Sequence, residues 1–360
     1  MSDAPKSSEA EDTTQETELA VLVASHHRGR VTLEDLTKLF PAVQSLESVV
    51  DALLERNLLV TEHRSYALTQ TGRDHLDQVL EGIQSQLTPD DPSYVGRYRQ
   101  AKPSLPMAAN TIWEHAICVN VRVRPEALRP LIPPQFELDL YDGWAFVSLT
   151  ASRLKDFGAG PIPRSLRKNF YQATYRAHVV FTDFRGRRTR GCYFIRSETN
   201  SPIMSLVANL LPEFKAHHCA TYPILMAQRG DHLLLSVDSG DDPAGKVVLV
   251  LDAARPLDGL PAGSCFRSLS DAYQFIVDFY DAFSFDAETN EVFILGIERG
   301  DWNIQVLEPV DFYLGYISAG PFGAGQAELD SIFYFRDTPY RWLPLLKERT
   351  KGVAVSGKAR

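Results

Sequence analysis

The feature that most constrains this chain lies between about residue 110 and residue 349, where apolar side chains return at every second position in one segment after another. Val119, Val121 and Val123 alternate with Asn120, Arg122 and Arg124, and Phe136, Leu138 and Leu140 repeat the pattern. Asp142-Gly143 is a strong hairpin turn, after which Trp144 to Thr150 runs back. Further strands are expected at Tyr171–Phe181, Gly191–Glu198, His232–Asp238, Lys246–Leu251, Glu291–Ile297, Asn303–Leu307, Asp311–Ile317 and Leu329–Phe335. So many strands at short spacing predict a sandwich or a barrel.

Two helical segments interrupt them. Ser201 with Pro202 at the first helical position opens one, in which Ile203, Leu206, Val207 and Leu210 share a face and Pro212 is the stop. Ser268 and Asp271 have capping-box spacing, and Ala272, Phe275, Ile276, Phe279, Tyr280 and Phe283 fit one apolar helical face. Both segments are read as plugs packed against the sheet.

The pattern changes near Gln84, and before it helical spacing dominates. Leu19–His26, a segment from Thr32 to Phe40 and one from Ser45 to Asn57 read as three helices. Strands Leu58–Glu62 and Ser65–Thr69 follow around a His63-Arg64 turn, and a last helix runs from about Thr71 to Gln84. That order describes a winged helix over residues 18–85, preceded by a disordered acidic tail at 1–17. Residues 86–109, with Pro89, Pro92, Pro103 and Pro106, are expected to be a linker. The strand-rich domain is placed at 110–349 and a second disordered tail at 350–360. A winged helix that reads DNA needs a positive footprint, but Glu18 to Gln84 carry six Lys/Arg against ten Asp/Glu, and Glu47, Asp51 and Glu55 line the third helix. Nucleic acid is therefore kept only as an alternative partner, behind a structural or partner-binding role.

A formal charge of −9 disfavours a generally basic coat for nucleic acid, and 44% hydrophobic residues suffice for a sizeable core. The amino terminus has no basic stretch followed by an apolar one, and apolar runs such as Leu206–Leu211 fall far short of a membrane span, so a soluble, cytoplasmic protein without membrane contact is expected. Cys118, Cys192, Cys219 and Cys265 lack any close pairing and suit reduced thiols. A homo-oligomer is left open.

The stretch Val121-Arg122-Val123-Arg124-Pro125-Glu126-Ala127-Leu128-Arg129-Pro130-Leu131-Ile132-Pro133-Pro134, followed by Phe136-Glu137-Leu138-Asp139 and Tyr141-Asp142-Gly143-Trp144-Ala145-Phe146-Val147, resembles the opening of the uncharacterised YqjF-like family (domain of unknown function 2071). Tyr175-Arg176-Ala177-His178-Val179 resembles that family's arginine-bearing strand, and Gly191-Cys192-Tyr193-Phe194 its Gly-x-Tyr-Phe strand. The family is placed in the acetoacetate decarboxylase-like superfamily. The resemblance spans roughly Trp113 to Arg349 and implies an α+β protein: a winged helix followed by an acetoacetate decarboxylase-like closed β-barrel, with plugging helices and an internal cavity. The decarboxylase branch uses a Schiff-base lysine activated by a neighbouring lysine. Here the equivalent passage is Leu211-Pro212-Glu213-Phe214-Lys215-Ala216, which lacks the doublet, so burial alone would have to depress the pKa of Lys215.

Strand parity supplies the remaining candidates. Gln172, Thr174, Arg176 and His178 project to one face, and Cys192, Phe194, Arg196 and Glu198 are expected to share another. If those faces look inward, Arg176, Arg196, His178 and Thr174 would hold a small carboxylate or carbonyl compound in a mostly apolar cavity; the other reading has them facing solvent. The leading expectation is a binding protein for a small organic molecule. One alternative is a lyase-type enzyme with Lys215 as nucleophile and Glu198 or Glu213 as proton carrier; a second is a ligand-responsive transcriptional regulator. Residues 153–190 hold ten Lys/Arg and two acids, four of the bases at an expected hairpin tip, read as a solvated tip or a docking patch. His217-His218-Cys219 lacks partners at ligand spacing, so neither a metal nor a cofactor is expected.

Overall fold

The computed structural model describes residues 17–18, 21–22, 24–25, 29–39, 45–84, 102–105, 109–159, 167–183, 185–210, 219–300 and 302–349. The N-terminal part contains helices Leu33–Leu39, Leu46–Glu55 and Gln70–Gln84, with the hairpin of β1 (Leu59–Glu62) and β2 (Ser65–Leu68) between the last two. Thr32 and Asp35 cap the first helix reciprocally: the Asp35 amide donates to Thr32 Oγ1 and the Thr32 amide to Asp35 Oδ2. The hairpin turns on His63 and Arg64, both with positive φ, as a two-residue turn matched to strand twist requires. Val21, Leu22, Leu36, Val50, Leu53 and Leu76 close a small core of their own.

The second part is mixed α+β and mostly strand. Its strands are β3 (Lys102–Leu105), β4 (Ala109–Val123), β5 (Phe136–Leu138), β6 (Leu140–Tyr141), β7 (Trp144–Ala159), β8 (Lys168–Thr182), β9 (Arg188–Thr199) and β10 (Cys219–Thr221). After these come β11 (Ile224–Arg229), β12 (His232–Val237), β13 (Val247–Asp252), β14 (Asp281–Asp286), β15 (Glu291–Arg299), β16 (Gln305–Val306), β17 (Pro309–Leu314), β18 (Ala327–Trp342) and β19 (Leu345–Arg349). Seven strands form a ring in the order β18-β4-β7-β8-β9-β14-β15, and the path returns to its start where Ile297–Arg299 pair with Tyr340–Trp342. Every pairing in the ring is antiparallel except β9 with β14. There the backbones approach so closely that a Cβ on Gly191 would lie 2.4 Å from the Asp281 carbonyl oxygen, which is why glycine stands at that position.

One face of the ring packs against a separate four-stranded sheet, β11-β12-β13-β17. Val147, Leu149, Ala177 and Val179 from the ring meet Leu233, Leu235, Val247 and Leu249 from that sheet in one buried cluster. Each such fully buried Leu or Val contributes roughly 1.5–3 kcal/mol. The opposite face is the ring's inside, where one buried cluster draws Cys118, Phe146, Phe170, Cys192, Ala282, Ile297 and Phe333 from all seven strands.

Several sequence expectations need correction. The Ser268-capped helix spans Leu269–Ile276 and does not reach Phe283. Arg190 donates to the carbonyls of Gln274 and Phe275 and Arg299 to that of Val277, satisfying the helix end, while Asp281–Asp286 leaves as β14 because both neighbouring strands pair with it. Lys102–Leu105, expected within a linker, pairs with β19. The strand expected at Asp311–Ile317 is Pro309–Leu314, followed by the helical turn Gly315–Ser318. Strands β10, β11 and β19 had no counterpart in the reading of the sequence. No described helix is long and apolar enough to cross a membrane.

Candidate functional site

Inside the ring, small polar side chains come from successive strands at every second position: Cys118 and Asn120 from β4, Ser148, Thr150 and Ser152 from β7, Thr174, Arg176 and His178 from β8, and Ser331 from β18. The residues that alternate with them along each strand, such as Val119 and its ladder partner Leu149, face the outer sheet. Period two thus keeps hydrocarbon on the outer face, while the inner face mixes these polar groups with buried rings such as Phe146, Phe333 and Phe335.

These groups form one directed chain of hydrogen bonds. Arg176 Nη2 donates to Thr150 Oγ1, Thr150 Oγ1 donates to Cys118 Sγ at 3.6 Å, and Cys118 donates to Asn120 Oδ1 at 3.2 Å. From the other side Ser148 Oγ donates to Asn120 Oδ1 at 2.9 Å, which leaves it to accept from His178 Nε2 at 3.0 Å. Asn120 Nδ2 completes the set by donating to Ser331 Oγ at 3.2 Å. Burial, reinforced by the charges of Arg176 and Arg190, holds His178 well below its ordinary pKa, so the imidazole is neutral. The Phe275 ring stacks on it at 5.5 Å, with the edges of Phe279 and Phe146 beside it. His178 is therefore walled in by aromatic rings, and the helix Leu269–Ile276 closes that end.

Arg176 projects into the ring from β8 and is 5% exposed. Thr150 accepts from it, its Nε has no hydrogen-bond partner, and among the described residues no carboxylate pairs with it. Nearby, burial pushes the Cys192 thiol up to about 11 even though the Arg176 charge opposes the shift, so the thiol stays protonated.

The inner cluster includes a wall of aromatic rings. Trp113 stacks on Tyr340 at 4.4 Å, and Trp302 stacks on Phe335 at 4.0 Å. Past Tyr340 a cleft of about 440 Å³ opens where β4, β7, β15 and β18 have their ends; Thr111, Asp156, Glu298, Arg299 and Arg341 are among the residues that line it. Tyr340 is among the residues that line this cleft, and Arg176 is not.

The expected sharing of a face by Cys192, Phe194, Arg196 and Glu198 is broken. A register shift sets Phe194 opposite Arg176 but Arg196 opposite Tyr175, so Ile195 is an extra residue and everything after it is turned over. Thr174, Arg176 and His178 look into the ring; Arg196 and Glu198 lie on its outer face with Tyr175. There Arg196 bonds both Glu198 and Asp242, and Tyr222 donates to Asp242 at 3.2 Å. Burial raises Glu198 to about 7 against the pull of Arg196. Lys215 and Glu213, and with them His217 and His218, lie outside the described residues. Among the described residues no three metal-type side chains stand together, and Cys118, Cys192, Cys219 and Cys265 are free thiols.

The basic hairpin tip is tied to neighbouring acids. Arg187 bonds Asp183, Arg188 bonds Glu137 at 2.8 Å, and Arg190 bonds Asp139 at 2.6 Å. Reading the sequence missed Asn120, Ser148, Thr150, Ser331 and Tyr340. The alternation Ser148, Thr150, Ser152 against Val147, Leu149, Ala151 was the available signal: small hydroxyls at period two are what a polar inner face looks like.

The chain is thus an α+β protein built on a strand ring whose buried interior combines polar groups with packed aromatic rings. Residues 110–334 match the DUF2071 family, described as an uncharacterized conserved protein, and the chain belongs to that family. No curated protein sequence matches it. Among solved structures it is similar to an acetoacetate decarboxylase from Legionella pneumophila subsp. pneumophila str. Philadelphia 1, at 13% identity over 69% of this chain and 87% of that one, with a TM-score of 0.46. An acetoacetate decarboxylase-like enzyme from Sphingomonas wittichii RW1 is similar at 11% identity over 68% and 93%, with a TM-score of 0.45. The enduracididine biosynthesis enzyme MppR complexed with pyruvate is similar at 13% identity over 68% and 89%, with a TM-score of 0.41.

Proposed function

We propose that this protein binds a small organic anion, a carboxylate, inside the strand ring on Arg176. One observation carries the reading: a buried guanidinium whose Nε has no acceptor and which has no carboxylate partner among the described residues. Taking an arginine charge out of water costs several kcal/mol unless it is paired, and a planar carboxylate is its best geometric match. The chain of donors that ends on Asn120 fixes Thr150, and Thr150 in turn holds the guanidinium in place. On this reading the ring is a closed barrel of the acetoacetate decarboxylase-like type. The N-terminal helices and hairpin are a winged helix that binds a partner rather than DNA. Its helix Leu46–Glu55 has no basic residue in the last turn, and Arg56 beside it is paired with Glu18.

Calorimetric titration of the full chain with pyruvate and with acetone, its uncharged counterpart, tests the reading. Pyruvate is expected to bind and acetone not, and Arg176→Met should abolish pyruvate binding. Equal binding of the two compounds, or pyruvate binding that survives the substitution, would overturn it. The lyase alternative needs Lys215 together with a proton carrier, and borohydride trapping with pyruvate examines it separately: a covalent adduct at Lys215 supports it and the absence of one removes it. Glu198 as that carrier sits on the face opposite Arg176, which counts against a shared site.

A further inference from the structure

Independently of any ligand, we propose that β17 pairs with β17 of a second copy of this chain, joining the two four-stranded sheets edge to edge about a twofold axis at Phe312. β17 ends the order β11-β12-β13-β17, so it is bonded along one side, and among the described residues no strand pairs with the other side. Exposed apolar side chains concentrate there. Val310 is 61% exposed, Phe312 46% and Tyr313 36%, and Leu225 on β11 of the same sheet is 55% exposed. Asp311 is the one charged residue of the strand. An open apolar edge with so little charge is a template for another strand.

The ladder fixes which backbone groups face outward. The Gly315 amide donates to the Lys246 carbonyl at 2.7 Å, and bonded pairs recur at every second residue of an antiparallel ladder. Tyr313 opposite Val248 and Asp311 opposite Val250 therefore bond to β13, while Phe312, opposite Leu249, turns its N–H and C=O to the open side. Two copies related by a twofold axis can then meet with either Asp311 or Phe312 on the axis. With Asp311 there, two carboxylates stand directly opposite, and like charges so placed are destabilising. With Phe312 there, its amide and carbonyl exchange two hydrogen bonds with the partner's Phe312, and Asp311 lies opposite the partner's Tyr313. Charge thus selects one register, in which the second copy supplies a ring for each half-exposed Phe312 and an uncharged neighbour for each Asp311. A strand that pairs with its own twin closes the set at two. At the other end Pro309 and the unpaired Val310, where the register shifts, stop the ladder.

Sedimentation velocity of the full chain from about 1 to 100 μM tests this, a range suited to a contact smaller than a standard interface. The mass is expected to climb from the 40.3 kDa of one chain towards twice that value. Phe312→Lys sets two like charges where two rings met and should raise the Kd about tenfold or more. Tyr313→Lys instead sets a lysine opposite the partner's Asp311 and should leave the Kd within about threefold. On mild oxidation Phe312→Cys should give an interchain disulfide that neither the parent chain nor Asp311→Cys gives, because only the residue on the axis has its twin within bridging distance. A single chain at every concentration, whatever else covers the edge, would overturn the proposal. So would assemblies larger than two, a dimer that Phe312→Lys leaves unchanged or Tyr313→Lys weakens equally, or a disulfide at Asp311→Cys in place of Phe312→Cys. The cysteine pair decides the register even where Phe312→Lys lowers the thermal midpoint.

Discussion

Replacing Arg176 with methionine should make the ligand-free protein more stable, the opposite of what removing a buried, well-bonded side chain does. The guanidinium is 5% exposed and has lost nearly all its water, yet it recovers one bond, to Thr150. A bond to a charged group returns about 1.5–3 kcal/mol, whereas an uncompensated buried charge costs several kcal/mol even after relaxation. Methionine keeps an unbranched stem of similar length and has no charge to desolvate. The net gain expected is about 1–4 kcal/mol, within the range seen when buried charges are exchanged for well-packed apolar groups. At about 2–4 °C per kcal/mol for a domain of this size, the thermal midpoint should rise by at least about 2 °C and by as much as about 16 °C. Differential scanning calorimetry of dialysed protein measures it, and equilibrium unfolding in urea supplies the free energy independently. A midpoint lowered by more than about 2 °C would refute the reasoning, because Arg176 would then be a satisfied structural residue with no vacancy for a ligand.

Glu198 makes stability fall with rising pH. Its carboxyl is raised from 4.5 to about 7 in the folded chain, so between those values the unfolded state has released a proton that the folded state still holds. Stability is highest below about pH 4.5 on this account and declines by about 3 kcal/mol as pH climbs through 7; Glu198→Gln should flatten that stretch of the urea-midpoint profile, and an unchanged slope would exclude Glu198 as its source. Asn120 accepts from Ser148 and Cys118 and donates to Ser331, so Asn120→Ala should cost about 2–4 kcal/mol in urea unfolding, and a loss under about 1 kcal/mol would show that the chain of donors is not held together there. Gly191→Ala puts a methyl 2.4 Å from the Asp281 carbonyl and the Phe283 ring; parting β9 from β14 should cost about 2 kcal/mol or more, and a variant as stable as the parent would mean the two strands are not so close.

What could be read from the sequence divides along physical lines. Alternation announced β4, β7, β8 and β9, because a ladder with hydrocarbon outside and small hydroxyls inside keeps a period of two. Even so, Asn120 appeared to face water: a single strand cannot say whether its second face meets solvent or the inside of a ring. Arg176, His178 and Thr174 were legible as one face, but Arg196 and Glu198 were assigned to the wrong side because one extra residue, Ile195, reverses parity without any mark such as glycine. The segment up to Phe283 fitted a helix by spacing alone, and long-range pairing with β9 and β15 overrode that local preference. Tyr340 and Arg299 could not be found at all, since their adjacency depends on where the ring comes back to its own start.

A crystal structure grown with pyruvate addresses the central claim most directly. Density for the carboxylate is expected inside the ring, with an oxygen within about 3 Å of Arg176 Nε and Thr150 still accepting from the same guanidinium. An interior filled by protein side chains alone, or an Arg176 engaged by an Asp or Glu of this same chain, would contradict it.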